Sequence, residues 1–200
     1  MTEDLREEGQ SLYAIVLAAG ASRRFGSPKQ LVRVNGRPLM HTVVSRAVEV
    51  AGHAVLVVLG ANAAELAPLL RHSPATVVIN RDWEEGLASS IRAGVQRLPG
   101  SCTGVMLLLA DQASVTTEDL RRLAGTWLRQ PTYLVAAQYG TTLGAPAIVP
   151  STYFRQLLEL RGDRGAAPLF HRNPDRVVRV PMESAALDID TPEDLLHLTS

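Results

Sequence analysis

Residues 17–29 read Leu-Ala-Ala-Gly-Ala-Ser-Arg-Arg-Phe-Gly-Ser-Pro-Lys, a run of small residues and two glycines that ends in cations. Gly20 and Gly26 permit backbone conformations and close approaches that a side chain would obstruct. Ala18, Ala19, Ala21 and Ser22 leave room for a flat ring and a sugar against the main chain. Successive backbone N–H groups in such a run can form an anion-binding concavity, and Arg24 and Lys29 add positive charge suited to a triphosphate. Neither GxGxxG nor GxxxxGK[ST] is present here. Two glycines alone would describe an ordinary turn with solvated arginines; the whole run argues for phosphate binding.

A second chemical position is Asp111, which follows the apolar stretch Leu107-Leu108-Leu109-Ala110 and precedes Gln112. A carboxylate at the end of so apolar a segment is poorly solvated and needs a partner. A divalent cation bridging phosphate oxygens would serve, and Thr116 and Thr117 already supply a cap for the following helix. A third position is Leu187-Asp188-Ile189-Asp190-Thr191-Pro192. Alternation puts Asp188 and Asp190 on one face of an extended segment. Asp190 could join Asp111 around a metal, or simply favour a helix N-terminus.

The elements that position these groups are readable from periodicity. Tyr13–Ala18, Ala54–Leu59, Thr76–Asn80 and Gly104–Ala110 are continuous apolar runs, as expected of strands buried on both faces. Tyr133–Ala137 and Ala147–Val149 are weaker strand candidates. Amphipathic helical patterns cover Pro38–Val50, Asn62–Leu70 (which Pro68 can end early), Gly86–Leu98, Thr117–Leu128, Tyr153–Leu160 and Thr191–Leu198. Pro38 and Pro192 fall at first-turn positions. Thr116 or Thr117 caps its helix, with Glu118 and Asp119 at the positive end. Strand and helix alternating at this spacing predict βαβ units and an α/β fold: a single-domain three-layer αβα sandwich with a Rossmann-like, mostly parallel sheet. Residues 1–11 read as a polar, acidic tail, and 12–200 as one domain.

Composition limits the alternatives. The 200 residues are 46% hydrophobic, with 20 Lys+Arg against 20 Asp+Glu. Balanced charge supplies no general field for nucleic acid or an anionic membrane. The N-terminus lacks the pattern of a signal peptide, and no apolar stretch approaches the ~20 residues that span a bilayer. The lone Cys102 forms no internal disulfide, which favours a reducing compartment and a cytoplasmic location; it reads as an apolar filler.

Leu-Ala-Ala-Gly-Ala-Ser-Arg-Arg-Phe-Gly-Ser-Pro-Lys-Gln-Leu, followed by Asn35-Gly36-Arg37-Pro38-Leu39, resembles the signature loop of the MobA-like NTP transferase family, and most closely its molybdenum cofactor cytidylyltransferases. The resemblance runs from about Tyr13 to Leu195. It implies that Arg24 and Lys29 bind the triphosphate and stabilise the transition state, with Leu17, Ala18, Ala19 and Gly20 as backbone near the base. Arg23 stands in the motif's variable slot. Asp111 becomes the Mg2+ ligand, with Asp190 a candidate second ligand. Asn80, Gly86 and Ser90 match a segment expected to bind nucleotide, in which Trp83 either packs or stacks. Gly162, Asp163 and Gly165 match a segment on the pterin-accepting side, and Gly144 and Pro146 keep a Gly-x-Pro frame there. Ala113, Ala145 and Ala167 depart from the family pattern, two of them in the acceptor half.

The resemblance implies transfer of CMP from CTP to the phosphate of molybdopterin, with release of pyrophosphate. CTP is favoured by the methyl of Ala19, by Ala-Asp-Gln and by Gly-Asp-x-Gly-Ala. The product could pass to a molybdoenzyme partner. Alternatives are a guanylyltransferase, a sugar-1-phosphate nucleotidyltransferase, an NAD(P)-dependent oxidoreductase and a non-catalytic molybdenum cofactor chaperone.

Overall fold

The computed structural model describes residues 9–22, 25–34, 36–186 and 194. Arg23, Arg24, Asn35, the tail through residue 8, Asp188, Asp190 and the expected helix Thr191–Leu198 (Asp194 apart) lie outside the described residues.

Strand β1 (Leu12–Ala18) is the third strand of a seven-stranded sheet, inside both edges. Its neighbours are β4 (Val55–Leu59) on one side and β6 (Gly104–Leu109) on the other, both parallel to it. Beyond β4 lies β5 (Thr76–Ile79), also parallel. Beyond β6 the order continues with β8 (Thr142–Pro150), β7 (Leu134–Tyr139) and β9 (Val177–Pro181). β8 runs antiparallel to both neighbours, and β9 pairs parallel with β7. The sheet is therefore mostly parallel, as the alternation predicts, with one reversed strand inside it. The short strands β2 (Arg33–Val34) and β3 (Arg37–Pro38) form a separate hairpin.

Unbroken apolar runs form the central strands because both faces are covered. Ala14, Val16 and Ala18 of β1 pack into one core layer, and Ile15 and Leu17 into the other. The first layer is closed by α1 (Leu39–Ala51), α2 (Ala63–Leu66) and α4 (Thr117–Arg129), which bury Val43, Ala47, Leu66, Leu120, Leu123 and Trp127 there. The second is closed by α3 (Leu87–Val95), α5 (Phe154–Leu158) and α6 (Ala167–Arg172). The three layers read from the sequence are these.

Several boundaries differ from the sequence reading for local reasons. α2 is a single turn that passes at Ala67 into a 3-10 turn over Ala67–Leu70, where Pro68 sits at the start. A proline has no N–H to donate back into the α pattern. α3 begins one residue after Gly86, whose φ of 98° is left-handed and non-helical. β7 starts one residue later than expected and runs on to Tyr139, while β8 extends well beyond Ala147–Val149, back to Thr142, and the two meet in a hairpin around Gly140. β9 and α6 have no counterpart among the expected elements.

Candidate functional site

β1 and β6 end side by side, with Leu17 paired to Leu109. The Ala110 amide continues the contact by donating to the Leu17 carbonyl at 3.1 Å. The chain order reverses here, since β4 follows on one side of β1 and β6 on the other. A crevice at the carboxyl ends of such strands is the usual ligand position in open α/β sheets. A cleft of about 500 Å³ opens there, walled by the loop after β1, the start of α3 and the Ala110–Asp111 turn.

Lys29 and Asp111 meet in the cleft, Nζ to Oδ2 at 2.6 Å, with their side chains only 16% and 19% exposed. Lys29 arrives on a 3-10 turn, Lys29–Leu31, that follows Pro28. The other carboxylate oxygen, Asp111 Oδ1, is buried and has no hydrogen-bond partner among the described residues. A buried acceptor left open is costly, about 1–3 kcal/mol and more for a charged group. That oxygen fits a cation-binding role. No cluster of three or more His, Cys, Asp or Glu occurs among the described residues. A single carboxylate suits Mg2+, which keeps several of its waters and is held by one or two carboxylates plus substrate phosphates.

The Asp111 turn is anchored from behind. Arg46 of α1 donates through one guanidinium nitrogen to the carbonyls of Ala113 and Val115, at 2.5 and 2.6 Å. Burial lowers the Arg46 pKa from its ordinary value, against the opposing pull of Glu49 and Asp119. Gln112 is buried and donates to the carbonyls of Ala145 and Ala185, at 3.0 and 3.1 Å. Three separate elements thus fix the residues that flank Asp111.

The opposite wall is the N-terminal turn of α3. Gly86, Leu87 and Ser90 face the cleft, beside Trp83 and Asp163. Gly86 must be glycine: a Cβ there would stand 2.2 Å from Asp163 Oδ1, and its φ is left-handed. Asp163 accepts from the Leu87 amide at 3.1 Å, and the Gly162 carbonyl accepts from the Ala88 amide at 2.9 Å. The Gly-Asp loop is thereby seated on the start of α3, satisfying amides that a helix leaves open.

Of the residues singled out in the sequence, Leu17, Ala18, Ala19, Gly20, Lys29, Gly86, Ser90, Asp111 and Asp163 line this one cleft. Arg24 and Asp190 lie outside the described residues. Asn80 is not on the cleft wall but behind it: it is 4% exposed, and its Nδ2 donates to Ser89 Oγ at 2.8 Å and Ser90 Oγ at 3.1 Å. Its Oδ1 accepts from the Asp82 amide. Gly162 and Gly165 belong to the loop behind Asp163, and a Cβ on Gly165 would meet Leu87. Gly144 and Pro146 lie on β8 and are not among the residues lining the cleft, although Pro146 stands beside Leu109, which is; a Cβ on Gly144 would stand 2.6 Å from the Tyr139 hydroxyl. The methyl of Ala19 is packed beside Gly60, so that a Cβ on Gly60 would lie 2.8 Å from it. Gly60 and the buried Gln30 are contributors that the sequence reading passed over. Their signals are a glycine directly after a strand and a glutamine directly after the lysine.

The sequence matches the MobA-like NTP transferase domain over residues 14–177. A protein named nicotine blue oxidoreductase from Paenarthrobacter nicotinovorans is 28% identical, over 92% of this chain and 94% of its own length. The crystal structure of Rv0371c from Mycobacterium tuberculosis H37Rv superposes with a TM-score of 0.83 at 30% identity, covering 94% of this chain and 97% of that one. A structure of Rv0371c in complex with manganese gives a TM-score of 0.80 at 26% identity, covering 94% and 97%. Fold, cleft and sequence agree, and the chain belongs to the MobA-like NTP transferase family of nucleotidyltransferases.

Proposed function

We propose that the protein transfers CMP from CTP to the terminal phosphate of a molybdopterin-type acceptor and releases pyrophosphate, using Mg2+. The observation that carries this reading is the Lys29–Asp111 pair in the cleft, with Asp111 Oδ1 buried and open. In the reaction, an acceptor phosphate oxygen forms a bond to the α-phosphorus as the bond from that phosphorus to the bridging oxygen breaks. The electron pair leaves with pyrophosphate. A phosphomonoester has a second pKa of about 6, so the nucleophile is already dianionic at neutral pH and needs no general base. This agrees with the lack of a histidine among the described residues that line the cleft.

The chain's own contribution is positioning and electrostatics. The loop after β1 receives the nucleotide, while Lys29 offsets charge on the triphosphate. Asp111 would hold the metal, with Asp190 its candidate companion; when bound, the ion neutralises phosphate charge. Arg24 is proposed as a second triphosphate cation. Gly86 and Ser90 would meet the base or ribose, and Asn80 orients Ser90 from behind. Asp163, with Gly162 and Gly165, would form the acceptor side together with Gly144 and Pro146. Manganese in the complex named for Rv0371c supports the use of a divalent cation. The choice of CTP rests on Ala-Asp-Gln, on Gly-Asp-x-Gly-Ala and on the methyl of Ala19, a residue of the cleft wall beside Gly60.

The test is product analysis with α-labelled CTP and GTP, Mg2+ and molybdopterin. Label appearing in a pterin dinucleotide from CTP supports the proposal. Label from GTP instead moves the protein to guanylyl transfer, and label on a sugar phosphate to the sugar enzymes. NADH oxidation without label transfer would favour the oxidoreductase reading suggested by the name of the Paenarthrobacter relative.

A further inference from the structure

Gln30 is a polar side chain with no evident reason to be buried. It is 3% exposed, and it lies next to Lys29 on the 3-10 turn. In a 3-10 helix neighbours are about 120° apart, so Lys29 reaches Asp111 while Gln30 turns beneath the loop after β1. There its Nε2 donates to the carbonyls of Gly20, at 3.2 Å, and Ala18, at 3.4 Å. Its Oε1 accepts from the Ser22 hydroxyl at 3.2 Å, and Ser22 Oγ in turn accepts from the Lys29 amide at 3.1 Å. The relay closes on itself, from the lysine backbone through Ser22 and Gln30 to the loop carbonyls.

The relay fixes which way the loop's peptide groups face. In a trans peptide the C=O and the next residue's N–H point in opposite directions, so the Gly20 carbonyl held by Gln30 turns the Ala21 amide the other way, and among the described residues nothing accepts from that amide. Ser22 holds a left-handed φ of 52°, which its hydroxyl contacts to Lys29 and Gln30 help to maintain. A Ser in this region is uncommon and costs free energy.

We infer that Gln30 is the positioning residue of the nucleotide loop, holding its carbonyls inward so that its amides are presented to the phosphates of a nucleoside triphosphate. The inference rests on the proposed nucleotidyl transfer. Gln30, almost wholly buried at the margin of the cleft, acts through its hydrogen bonds to Ala18, Gly20 and Ser22.

The experiment compares wild type, Gln30→Met and Ser22→Ala, with Asp111→Ala as the reference for the reading itself. Methionine keeps the volume but neither donates to carbonyls nor accepts from Ser22. The readouts are the KM for each substrate, the affinity for CTP and for pyrophosphate with Mg2+, and the unliganded melting temperature. Expected for Gln30→Met is a rise of about tenfold or more in KM for CTP and in the pyrophosphate Kd, with the acceptor KM unchanged. Ser22→Ala, which breaks the relay at one joint, shifts the same constants in the same direction by less. Wild-type values for Gln30→Met would overturn the inference, and so would equal losses for both substrates that track a fallen melting temperature. If wild type binds no nucleotide, or if Asp111→Ala leaves turnover intact, the transferase reading fails and takes the inference with it. If Asp111→Ala abolishes turnover while Gln30→Met binds CTP as wild type does, only the inference fails.

Discussion

Asp111 and Lys29 are 82 residues apart in the chain and 2.6 Å apart in the cleft. Their chemical types were legible in the sequence, one as an acid after an apolar strand, the other as the cation closing a Gly-rich run. Their pairing was not, because no spacing rule links the ends of two different strands. Asn80 shows the opposite limit: its segment pointed to the cleft, but its amide is consumed by Ser89, Ser90 and Asp82. Gln30 needed the tertiary fold to show that it lies under Ala18 and Gly20. Asp111→Ala should lower kcat by about 10²–10³, the loss typical of a group that stabilises transition-state charge; steady-state turnover with metal would show it, and a loss under threefold would contradict the assignment. Cys102 is 4% exposed on the way into β6, and burial pushes its thiol up to about 11. The thiolate is the reactive form, so Cys102 should resist alkylating reagents at pH 8 in the native protein and react on denaturation. Because the folded pKa is raised, its share of stability is complete below the unfolded value of about 8.5 and declines as pH rises towards 11. Rapid native-state labelling would disprove its burial.

The central strands were legible because both of their faces are apolar, and α4 because its cap is written in the sequence. Thr116 accepts from the Asp119 amide at 3.1 Å, and Asp119 Oδ2 accepts from the Thr116 amide at 3.0 Å, closing a capping box. The Ser184 hydroxyl and Arg122 also donate to Asp119. Burial alone would raise the Asp119 pKa, but the Thr116 amide and hydroxyl, Ser184 and Arg122 outweigh it and hold the pKa below the ordinary carboxylate value. The stability it contributes is therefore present above the unfolded pKa, about 3.9, and is lost as pH falls through the lower folded value. Thr116→Ala should cost about 1 kcal/mol at pH 7, read by urea denaturation. Asp119→Asn should be less stable than wild type at pH 7, with the gap narrowing below about pH 4; a gap independent of pH would refute the charge argument. At the start of β6, a Cβ on Gly104 would lie 2.4 Å from the fully buried Trp127 ring. Gly104→Ala should accordingly destabilise by about 1–3 kcal/mol through overpacking, and an unchanged urea midpoint would contradict this packing. β9 and α6 escaped the sequence reading for a physical reason. β9 is an edge strand with half-buried Val177 and Val178 and an exposed Arg179, so it lacks a continuous apolar run. α6 is only six residues long and has Pro168 as its second residue.

The whole molecule places its chemistry at one seam, where β1 and β6 end together and the chain order reverses. Two loops remote in sequence reach that seam, and each is anchored from outside it: Gln30 under the first, Arg46 and Gln112 behind the second. No helix among the described residues is long and apolar enough to cross a membrane. Such a scaffold predicts that ligand binding stabilises the fold as a unit. At 100 times Kd a bound nucleotide adds about 2.7 kcal/mol, and thermal unfolding with and without Mg2+ and CTP should show it as a raised midpoint. The most direct test of the central claim is calorimetric titration of CTP into wild type and Asp111→Ala, each with and without Mg2+. The account predicts saturable binding to wild type that requires the metal and disappears in the variant. Binding of equal strength in Asp111→Ala, or no binding to wild type with Mg2+ present, would contradict it.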